Sequence, residues 1–193
     1  MSVRVENRLT FIHIGKNAGK SIIKTLDKNF MTKHSERQHD TYHELPEDWK
    51  NGVFCVIRNP FDRLLSLYHF SIKKYKKTKE ERKKSKKLLE LGFENFVLDQ
   101  HTGDLFDIYH MWESNTQFRY LPKNTSNINI LRFENLNNDW KKFCMEHGLT
   151  YHELSHINSS RDDHSYRDYY NKRMIETVTK KWNRDLALGN YTF

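Results

Sequence analysis

Two glycines, two lysines and a serine lie within residues 11–22, FIHIGKNAGKSI, in the spacing of a loop that binds phosphate groups. Gly15 and Gly19 allow the backbone to approach an anion closely, and Lys16 and Lys20 bring positive charge. A loop that leads from a strand into a helix also presents backbone N–H groups at the positive end of the helix dipole. The loop is therefore predicted to bind a phosphate or sulfate group.

The same loop is one residue shorter than the loop of P-loop kinases, which has four residues between its first glycine and the following Gly-Lys-Ser/Thr. Only Lys16, Asn17 and Ala18 separate the two glycines here. A Mg²⁺-dependent kinase also needs a carboxylate at the end of a neighbouring strand. Two later apolar runs, VFCVI and INIL, lead instead into Arg58 and Arg132. Because an arginine binds phosphate directly through its planar guanidinium, the pattern favours metal-free phosphate binding over the alternative of a small kinase.

Two segments in combination resemble the sulfotransferase family. Residues 15–19, GKNAG, are similar to the family's 5′-phosphosulfate loop, which usually reads Pro-Lys-Thr-Gly. Residues 55–68, CVIRNPFDRLLSLY, resemble its 3′-phosphate segment, in which an arginine is followed eight residues later by a serine, here Arg58 and Ser66. The last third of the chain, with LRFENLNNDW, HINSSR, YRDYY and NYTF, resembles the small carbohydrate-type members. The resemblance thus covers nearly the whole chain.

The resemblance implies transfer of a sulfuryl group from 3′-phosphoadenosine 5′-phosphosulfate (PAPS) to an acceptor hydroxyl or amine, and a carbohydrate hydroxyl is the acceptor we expect here. Together with the two arginines, it leads us to expect no metal ion. It implies that Lys16 contacts the phosphosulfate and stabilises charge on the bridging oxygen as the bond to sulfur breaks. The implied donor-binding residues are Lys16, Asn17, Ala18, Gly19, Lys20, Ser21, Arg58, Ser66 and Arg161, the last in a loop that closes over the nucleotide. A non-catalytic anion- or glycan-binding protein with the same fold is the alternative.

Attack on sulfur requires a group that takes the acceptor's proton, and histidine is the usual choice near neutral pH. The family places this base after the first helix and before the Arg-Asn-Pro strand, where the chain reads HSERQHDTYHEL. His39 matches the family pattern best, His43 is the second candidate and His34 the third. His13 lies within the first predicted strand and is interpreted as a residue of the core or as a support of the site.

Residues 152–156, HELSH, match the zinc-peptidase signature, in which two histidines on one helix face bind zinc and the glutamate acts as base. A buried helix of that kind should carry an apolar flank over several turns. Here Gly148 precedes the motif by four residues and the polar residues 158–160, NSS, follow it almost at once. The context therefore disfavours a zinc site, and no metal ligand is predicted.

The formal net charge of +8 is concentrated in one segment. Residues 73–87, KKYKKTKEERKKSKK, contain ten Lys or Arg and two Glu, so the remaining residues carry no net charge. We interpret this basic segment as a solvated helix face or a mobile insertion, with the attraction of an anionic acceptor as the alternative. Nucleic acid is not an expected partner, because neither an aromatic ladder nor a recognition motif accompanies the charge.

The elements that must position these residues follow from short apolar runs and helix-start signals. Strands are predicted at 9–14, 53–57 and 128–131, and helices at 19–26, from Pro60 onward, and at 93–98, 139–147 and 169–188. Strands that alternate with helices predict an α/β fold, a P-loop-like three-layer domain with a mainly parallel central sheet flanked by helices. Residues 1–193 are expected to form this one domain. Ligands of such sheets bind at the carboxyl ends of the strands, where the loop and both arginines fall.

The chain has the composition of a cytoplasmic protein. Its only two cysteines, Cys55 and Cys144, do not make a disulfide framework, which favours a reducing compartment. The sequence contains no run of 18 apolar residues and its first residues, MSVRVENRL, lack the apolar region of a secretory signal. We therefore expect a cytoplasmic location and no membrane span.

Overall fold

The computed structural model of the 193-residue chain describes residues 1–37, 39–74, 78–98, 116–155 and 165–193. The chain divides into two compact units. The first consists of Met1–Arg58 and Gln117–Ser159, and the second of Asn59–Thr116 and Ser160–Phe193.

The first unit contains a five-stranded mixed sheet. Its strands in chain order are β1 (Val3–Val5), β2 (Leu9–Ile12), β3 (Thr32–His34), β4 (Val53–Ile57) and β5 (Asn129–Arg132), and their order across the sheet is β3-β1-β2-β4-β5. β2, β4 and β5 are parallel neighbours, whereas β1 pairs antiparallel with β2 and with β3. The predicted α/β class and central sheet are confirmed. Because β2, β4 and β5 are parallel, their carboxyl ends meet at one edge, where the predicted loop begins.

Two helices of the first unit, α1 (Gly19–Asn29) and α4 (Leu136–Glu146), share a hydrophobic core with the sheet. Phe54 of β4 lies at the centre of this core, with its ring centroid 4.4 Å from that of Phe143 and 5.1 Å from that of Phe11. Trp140 of α4 is fully buried beside it. Burial of each such ring contributes about 1.5–3 kcal/mol, so the core holds the parallel strands firmly in register.

The second unit consists of helices α2 (Pro60–Lys74), α3 (Lys79–Leu98), α5 (Lys172–Lys181) and α6 (Asn183–Gly189). α2 begins at Pro60 as predicted, since the Asn59 side chain accepts a hydrogen bond from the Phe61 N–H at 3.1 Å and so caps the helix. Gly92 interrupts α3 with φ 73°. The stretch predicted as helical from 169 to 188 forms two helices that meet at Trp182.

The closing residues of the chain pack within this second unit. The Asn59 side chain donates hydrogen bonds to the Thr192 carbonyl at 3.0 Å and to the Tyr166 hydroxyl at 3.2 Å. The Phe193 ring lies 4.9 Å from the Phe61 ring and 5.5 Å from the Tyr170 ring. Asn59 and the NYTF ending are therefore neighbours in space within this unit.

The described part of the basic segment is helical. Residues 79–87 form the first half of α3, and residues 75–77 lie outside the described residues. Ser85 and Leu88 of this helix are buried, whereas most of its lysines are exposed. Two of these lysines pair with glutamates one turn away, Lys84 with Glu80 at 3.4 Å and Lys86 with Glu90 at 3.7 Å. Among the described residues, no helix combines the length and apolar character that crossing a bilayer requires.

Candidate anion-binding site

The loop between β2 and α1 has the backbone geometry of an anion-binding nest. Lys16 and Ala18 adopt left-handed conformations, with φ 69° and 58°, and the intervening Asn17 does not. Such alternation turns successive N–H groups toward one side of the loop. α1 starts at Gly19 with no side-chain cap and no acidic residue in its first turn. The positive end of this helix therefore faces the same loop without a competing side chain of its own.

The ring of His13 explains why position 19 must be glycine. A Cβ atom on Gly19 would lie 1.9 Å from Cδ2 of His13. The His13 ring is stacked on Phe11, with centroids 6.2 Å apart, and contacts the His39 ring at 4.5 Å. Burial, together with the smaller effects of the nearby His39, the Met1 amino group and Lys20, lowers the pKa of His13 to about 3. His13 is therefore a neutral support of the site at physiological pH, in line with its interpretation from the sequence.

His39 lies against the start of the loop. Its Nδ1 is 2.9 Å from the backbone carbonyl oxygen of His13, and its Cε1 lies 3.7 Å from the position that a Cβ on Gly15 would occupy. Because a carbonyl oxygen only accepts hydrogen bonds, Nδ1 of His39 must carry the proton. In the neutral ring, Nε2 is then the acceptor. This is the tautomer that a general base requires if Nε2 takes the proton.

The backbone around His39 is fixed by its neighbours. His39 has φ 63°, a left-handed conformation that histidine and asparagine adopt more readily than most residues. The next residue, Asp40, is buried, and its carboxylate accepts hydrogen bonds from the Ser2 N–H at 3.2 Å and from the Ser35 hydroxyl. This anchor holds the turn that brings His39 to the loop.

The other two histidine candidates have different surroundings. His43 is exposed in the short 3₁₀ helix Tyr42–Glu44, and its ring contacts Tyr42 edge-on at 5.8 Å. His34 lies on the edge strand β3, where its Nε2 is 2.9 Å from the Asp27 carboxylate. Of the three candidates, His39 is the one whose ring lies against the loop.

Arg58 follows β4 and reaches the loop. Its side chain is buried, and its Nη1 donates a hydrogen bond to the Lys16 carbonyl oxygen at 3.0 Å. Its guanidinium carbon lies 4.1 Å from the ring centroid of Phe133, which follows β5. This cation–π contact and the hydrogen bond hold the guanidinium next to the loop. Phe133 was not among the predicted site residues, although an aromatic residue directly after a strand at this edge is the kind of signal that could have suggested it.

A buried glutamine links Arg58 to the loop. Gln117 is fully buried, and its Oε1 accepts hydrogen bonds from the Arg58 N–H at 2.9 Å and from Asn17 Nδ2 at 2.7 Å. Its Nε2 donates to the Arg58 carbonyl at 2.8 Å. Asn17 Nδ2 also donates to the Val56 carbonyl of β4 at 2.7 Å. The sequence reasoning missed Gln117, since no local pattern marks it.

The remaining predicted residues are distributed as follows. Ser21 is buried in the first turn of α1, and Lys20 beside it is exposed. Ser66 lies on α2 of the second unit and is half-buried. Arg161 lies outside the described residues. Within the first unit, the structure thus brings together the loop residues 16–19, Arg58 and His39.

The described part of the HELSH segment is not the helix that a zinc-peptidase site requires. Residues 151–155 have no helical structure, and His156 lies outside the described residues. The His152 carbonyl accepts a hydrogen bond from Trp140 Nε1 at 2.9 Å, which holds this segment beside α4. Within the part of the chain that the structure describes, no group of three or more His, Cys, Asp or Glu side chains is placed to hold a metal ion.

A protein-family model described as "Sulfotransferase family" matches residues 2–192. The match covers nearly the whole chain, including the loop, the Arg58 segment and the residues between them. Among curated proteins, none matches the chain.

Proposed function

Because this chain belongs to the Sulfotransferase family, and is thus a PAPS-dependent sulfotransferase, we propose that it sulfates a carbohydrate hydroxyl without a metal ion. The observation that carries the proposed site is the 3.0 Å hydrogen bond from Arg58 Nη1 to the Lys16 carbonyl. It brings the two cationic residues that were inferred from separate motifs to one edge of the sheet. PAPS carries phosphate at both ends of its ribose, so two such cationic groups suit it.

The loop would bind the 5′ end of the donor. Its alternating backbone conformation at Lys16, Asn17 and Ala18 and the uncapped start of α1 supply N–H donors for a phosphate or sulfate. PAPS supplies the electrophilic sulfuryl group and a phosphate leaving group. The Lys16 ammonium would stabilise the charge that develops on the leaving oxygen. Arg58 would bind the 3′-phosphate.

We assign the role of general base to Nε2 of His39. Its Nδ1–H donates to the His13 carbonyl, so Nε2 is the unprotonated nitrogen of the neutral ring and would accept the proton of the attacking hydroxyl. Burial lowers the pKa of the adjacent His13 to about 3, so His39 can take up a proton without facing a second charged imidazole at 4.5 Å. The kinase alternative has no matching support, because β4 and β5 lead into Arg58 and Arg132 rather than into a carboxylate.

The donor site is tested by calorimetric titration with the product nucleotide 3′-phosphoadenosine 5′-phosphate (PAP). We expect binding that a chelator does not change. Arg58→Ala should weaken PAP by about 10–100-fold, since charge-assisted hydrogen bonds contribute about 1.5–3 kcal/mol. The affinity for adenosine 5′-phosphosulfate, which lacks the 3′-phosphate, should change much less. Loss of PAP binding on addition of chelator, or equal weakening of both nucleotides, would contradict the assignment.

An anionic carbohydrate is the acceptor that the exposed face of α3 favours. Lys79, Lys83 and Lys87 are exposed at four-residue spacing, so they lie along one side of the helix. Such a row attracts a polyanion by long-range electrostatics that weaken with salt.

A screen of glycans with labelled PAPS would identify the acceptor. Because Leu88 of this helix is buried, the three lysines are best changed to glutamine rather than deleted. Their replacement should raise KM for the acceptor and leave KM for PAPS unchanged, and an unchanged acceptor KM would assign the row to solvent.

We also propose a cytoplasmic location. Both cysteines, Cys55 and Cys144, are free and buried, as expected of a protein in a reducing compartment. Burial raises the pKa of the Cys55 thiol to about 12 and that of Cys144 to about 11, so neither is a reactive thiolate at neutral pH. Fractionation of cells that express the tagged chain tests this proposal, and recovery in secretory vesicles would contradict it.

A further inference from the structure

Gln117 is a fully buried polar side chain beside the donor site for which the proposed chemistry has no direct use. Its carboxamide accepts a hydrogen bond from the Arg58 N–H at 2.9 Å and donates one to the Arg58 carbonyl at 2.8 Å. A residue of a neighbouring antiparallel strand exchanges the same pair of bonds with the residue opposite it in a β-sheet. Gln117 therefore continues the pairing of β4 by one residue beyond Ile57, the last residue of the strand.

The pairing fixes the direction in which the Arg58 side chain leaves the backbone. With its N–H and C=O both bonded to Gln117, Arg58 is held in an extended course at the end of β4. From there its Nη1 reaches the Lys16 carbonyl at 3.0 Å and its guanidinium lies over Phe133 at 4.1 Å. The position of the guanidinium thus depends on the carboxamide that holds the Arg58 backbone.

The same carboxamide also holds the loop. Asn17 Nδ2 donates to Gln117 Oε1 and to the Val56 carbonyl, both at 2.7 Å. Asn17 Oδ1 is buried with no hydrogen-bond partner among the described residues. A flipped amide would place Oδ1 against two acceptors, so the observed orientation is the only one that satisfies them. Asn17 is consequently fixed between Lys16 and Ala18, the two residues with left-handed backbone.

We propose that Gln117 is a positioning residue that holds the phosphate loop and Arg58 in a fixed relative position before the donor binds. The proposal rests on the proposed function, in which these two groups bind opposite phosphate-bearing ends of PAPS. A site that is already formed loses less conformational entropy on binding, so its affinity is higher. Removal of the carboxamide should therefore weaken nucleotide binding as well as fold stability.

Two substitutions separate the roles of the carboxamide atoms. Gln117→Met keeps the length and apolar volume of the side chain and removes the hydrogen bonds to the Arg58 N–H, the Arg58 carbonyl and Asn17. Gln117→Glu keeps the acceptor for the Arg58 N–H and for Asn17, but its ionised form cannot donate to the Arg58 carbonyl. The protonated carboxyl group can donate there, so acid pH should partly restore the arrangement. Asn129→Leu is the matched control, because Asn129 Nδ2 contacts the Val53 carbonyl at 3.4 Å, at the opposite end of β4.

The first measurement is calorimetric titration of PAP into the full-length variants, with each Kd expressed relative to the wild type at the same pH. We expect Gln117→Met to raise Kd by about 10–100-fold, the range for loss of one to two well-placed interactions. Gln117→Glu should raise Kd less at pH 5.5 than at pH 8. The Kd of Asn129→Leu for PAP should stay within about twofold of the wild-type value, even if the melting temperature of this variant falls. A Gln117→Met variant that folds and binds PAP as well as the control does would overturn the proposal.

The second measurement needs no ligand. Amide hydrogen exchange by NMR should show the Arg58 N–H exchanging at least about tenfold faster in Gln117→Met than in the wild type, with no such change in Asn129→Leu. If Gln117→Met does not fold, the comparison of Gln117→Glu at the two pH values takes its place. Unchanged Arg58 exchange would refute the positioning role. Failure of the wild type to bind PAP would instead refute the proposed function, while the exchange data would still decide whether Gln117 holds Arg58.

Discussion

Replacement of His39 by asparagine should remove the general base and leave the site otherwise intact. Asparagine tolerates the left-handed conformation found at this position, φ 63°, and its side-chain amide can donate to the His13 carbonyl as Nδ1 does. It has no basic atom in place of Nε2. His39→Ala would be a poorer probe, because it adds about 1–2 kcal/mol of backbone strain to the loss of a hydrogen bond worth about 0.5–1.5 kcal/mol.

The expected loss is a fall in kcat of about 10²–10⁴-fold, the range for one positioned base. This corresponds to about 2.7–5.5 kcal/mol of transition-state stabilisation. Kd for PAP should stay within about threefold of the wild type, since the asparagine leaves the loop amides and Arg58 in place. The free energy of unfolding should change by less than about 1 kcal/mol, because the backbone and the hydrogen bond are retained.

The assay is the initial rate of sulfation with labelled PAPS and the acceptor found by the glycan screen, together with PAP titration and urea unfolding. His43→Asn is the matched control, because that ring is exposed and contacts only Tyr42 among the described aromatic residues. If His39→Asn keeps more than about a tenth of the wild-type kcat, or if His43→Asn loses as much, the assignment of the base is refuted. A parallel rise in Kd for PAP would show that His39 acts on donor binding instead.

Two further predictions concern the support of the loop. Gly19→Ala should weaken PAP by about tenfold or more, because the new Cβ would lie 1.9 Å from the His13 ring. The Gly15→Ala variant should bind PAP nearly as tightly as the wild type, since the atom nearest to its new Cβ would be 3.7 Å away. A similar loss of PAP affinity in the two variants would contradict the steric role of His13. The pKa of His13 is about 3 in the folded state and 6.5 in an unperturbed histidine. As the pH falls through 6.5, the unfolded state therefore binds a proton at this position that the folded state does not bind. Acidification from pH 7 to 5 should therefore destabilise the wild type by about 2 kcal/mol more than His13→Phe, and equal changes in urea unfolding would exclude this linkage.

The parts of the site that could be predicted from the sequence are those that local patterns determine. An apolar run of strand length followed by a glycine-containing loop marks β2 and the start of α1 at Gly19. The run VFCVI followed by Arg-Asn-Pro marks β4 and the capped start of α2 at Pro60. Once both strands are taken as parallel neighbours, the loop and Arg58 must lie at the same edge. The contact between them is thus a consequence of topology.

The parts that could not be predicted depend on contacts between distant residues. β1 and β3 have three residues each, too few to show a period, and the turn at Glu6 and Asn7 relies on left-handed backbone at both positions. Gln117 forms hydrogen bonds with Arg58 and Asn17, which precede it in the chain by 59 and 100 positions. The family pattern ranked His39 above His43, but the contact that fixes the His39 tautomer is with a carbonyl 26 residues earlier.

The loop differs from the family pattern in having glycine at position 15 in place of proline, so its rigidity must have another source. Two non-glycine residues with left-handed backbone, Lys16 and Ala18, cost about 1–2 kcal/mol each. The two buried hydrogen bonds of Asn17 contribute about 1 kcal/mol each, and the packing of the His13 ring on Gly19 adds to them. The strained conformation therefore persists because β4, Gln117 and His13 hold it from three sides. Since strain of this kind survives only where the surroundings determine it, these contacts fix the loop backbone, and a proline at position 15 is not needed to stiffen it.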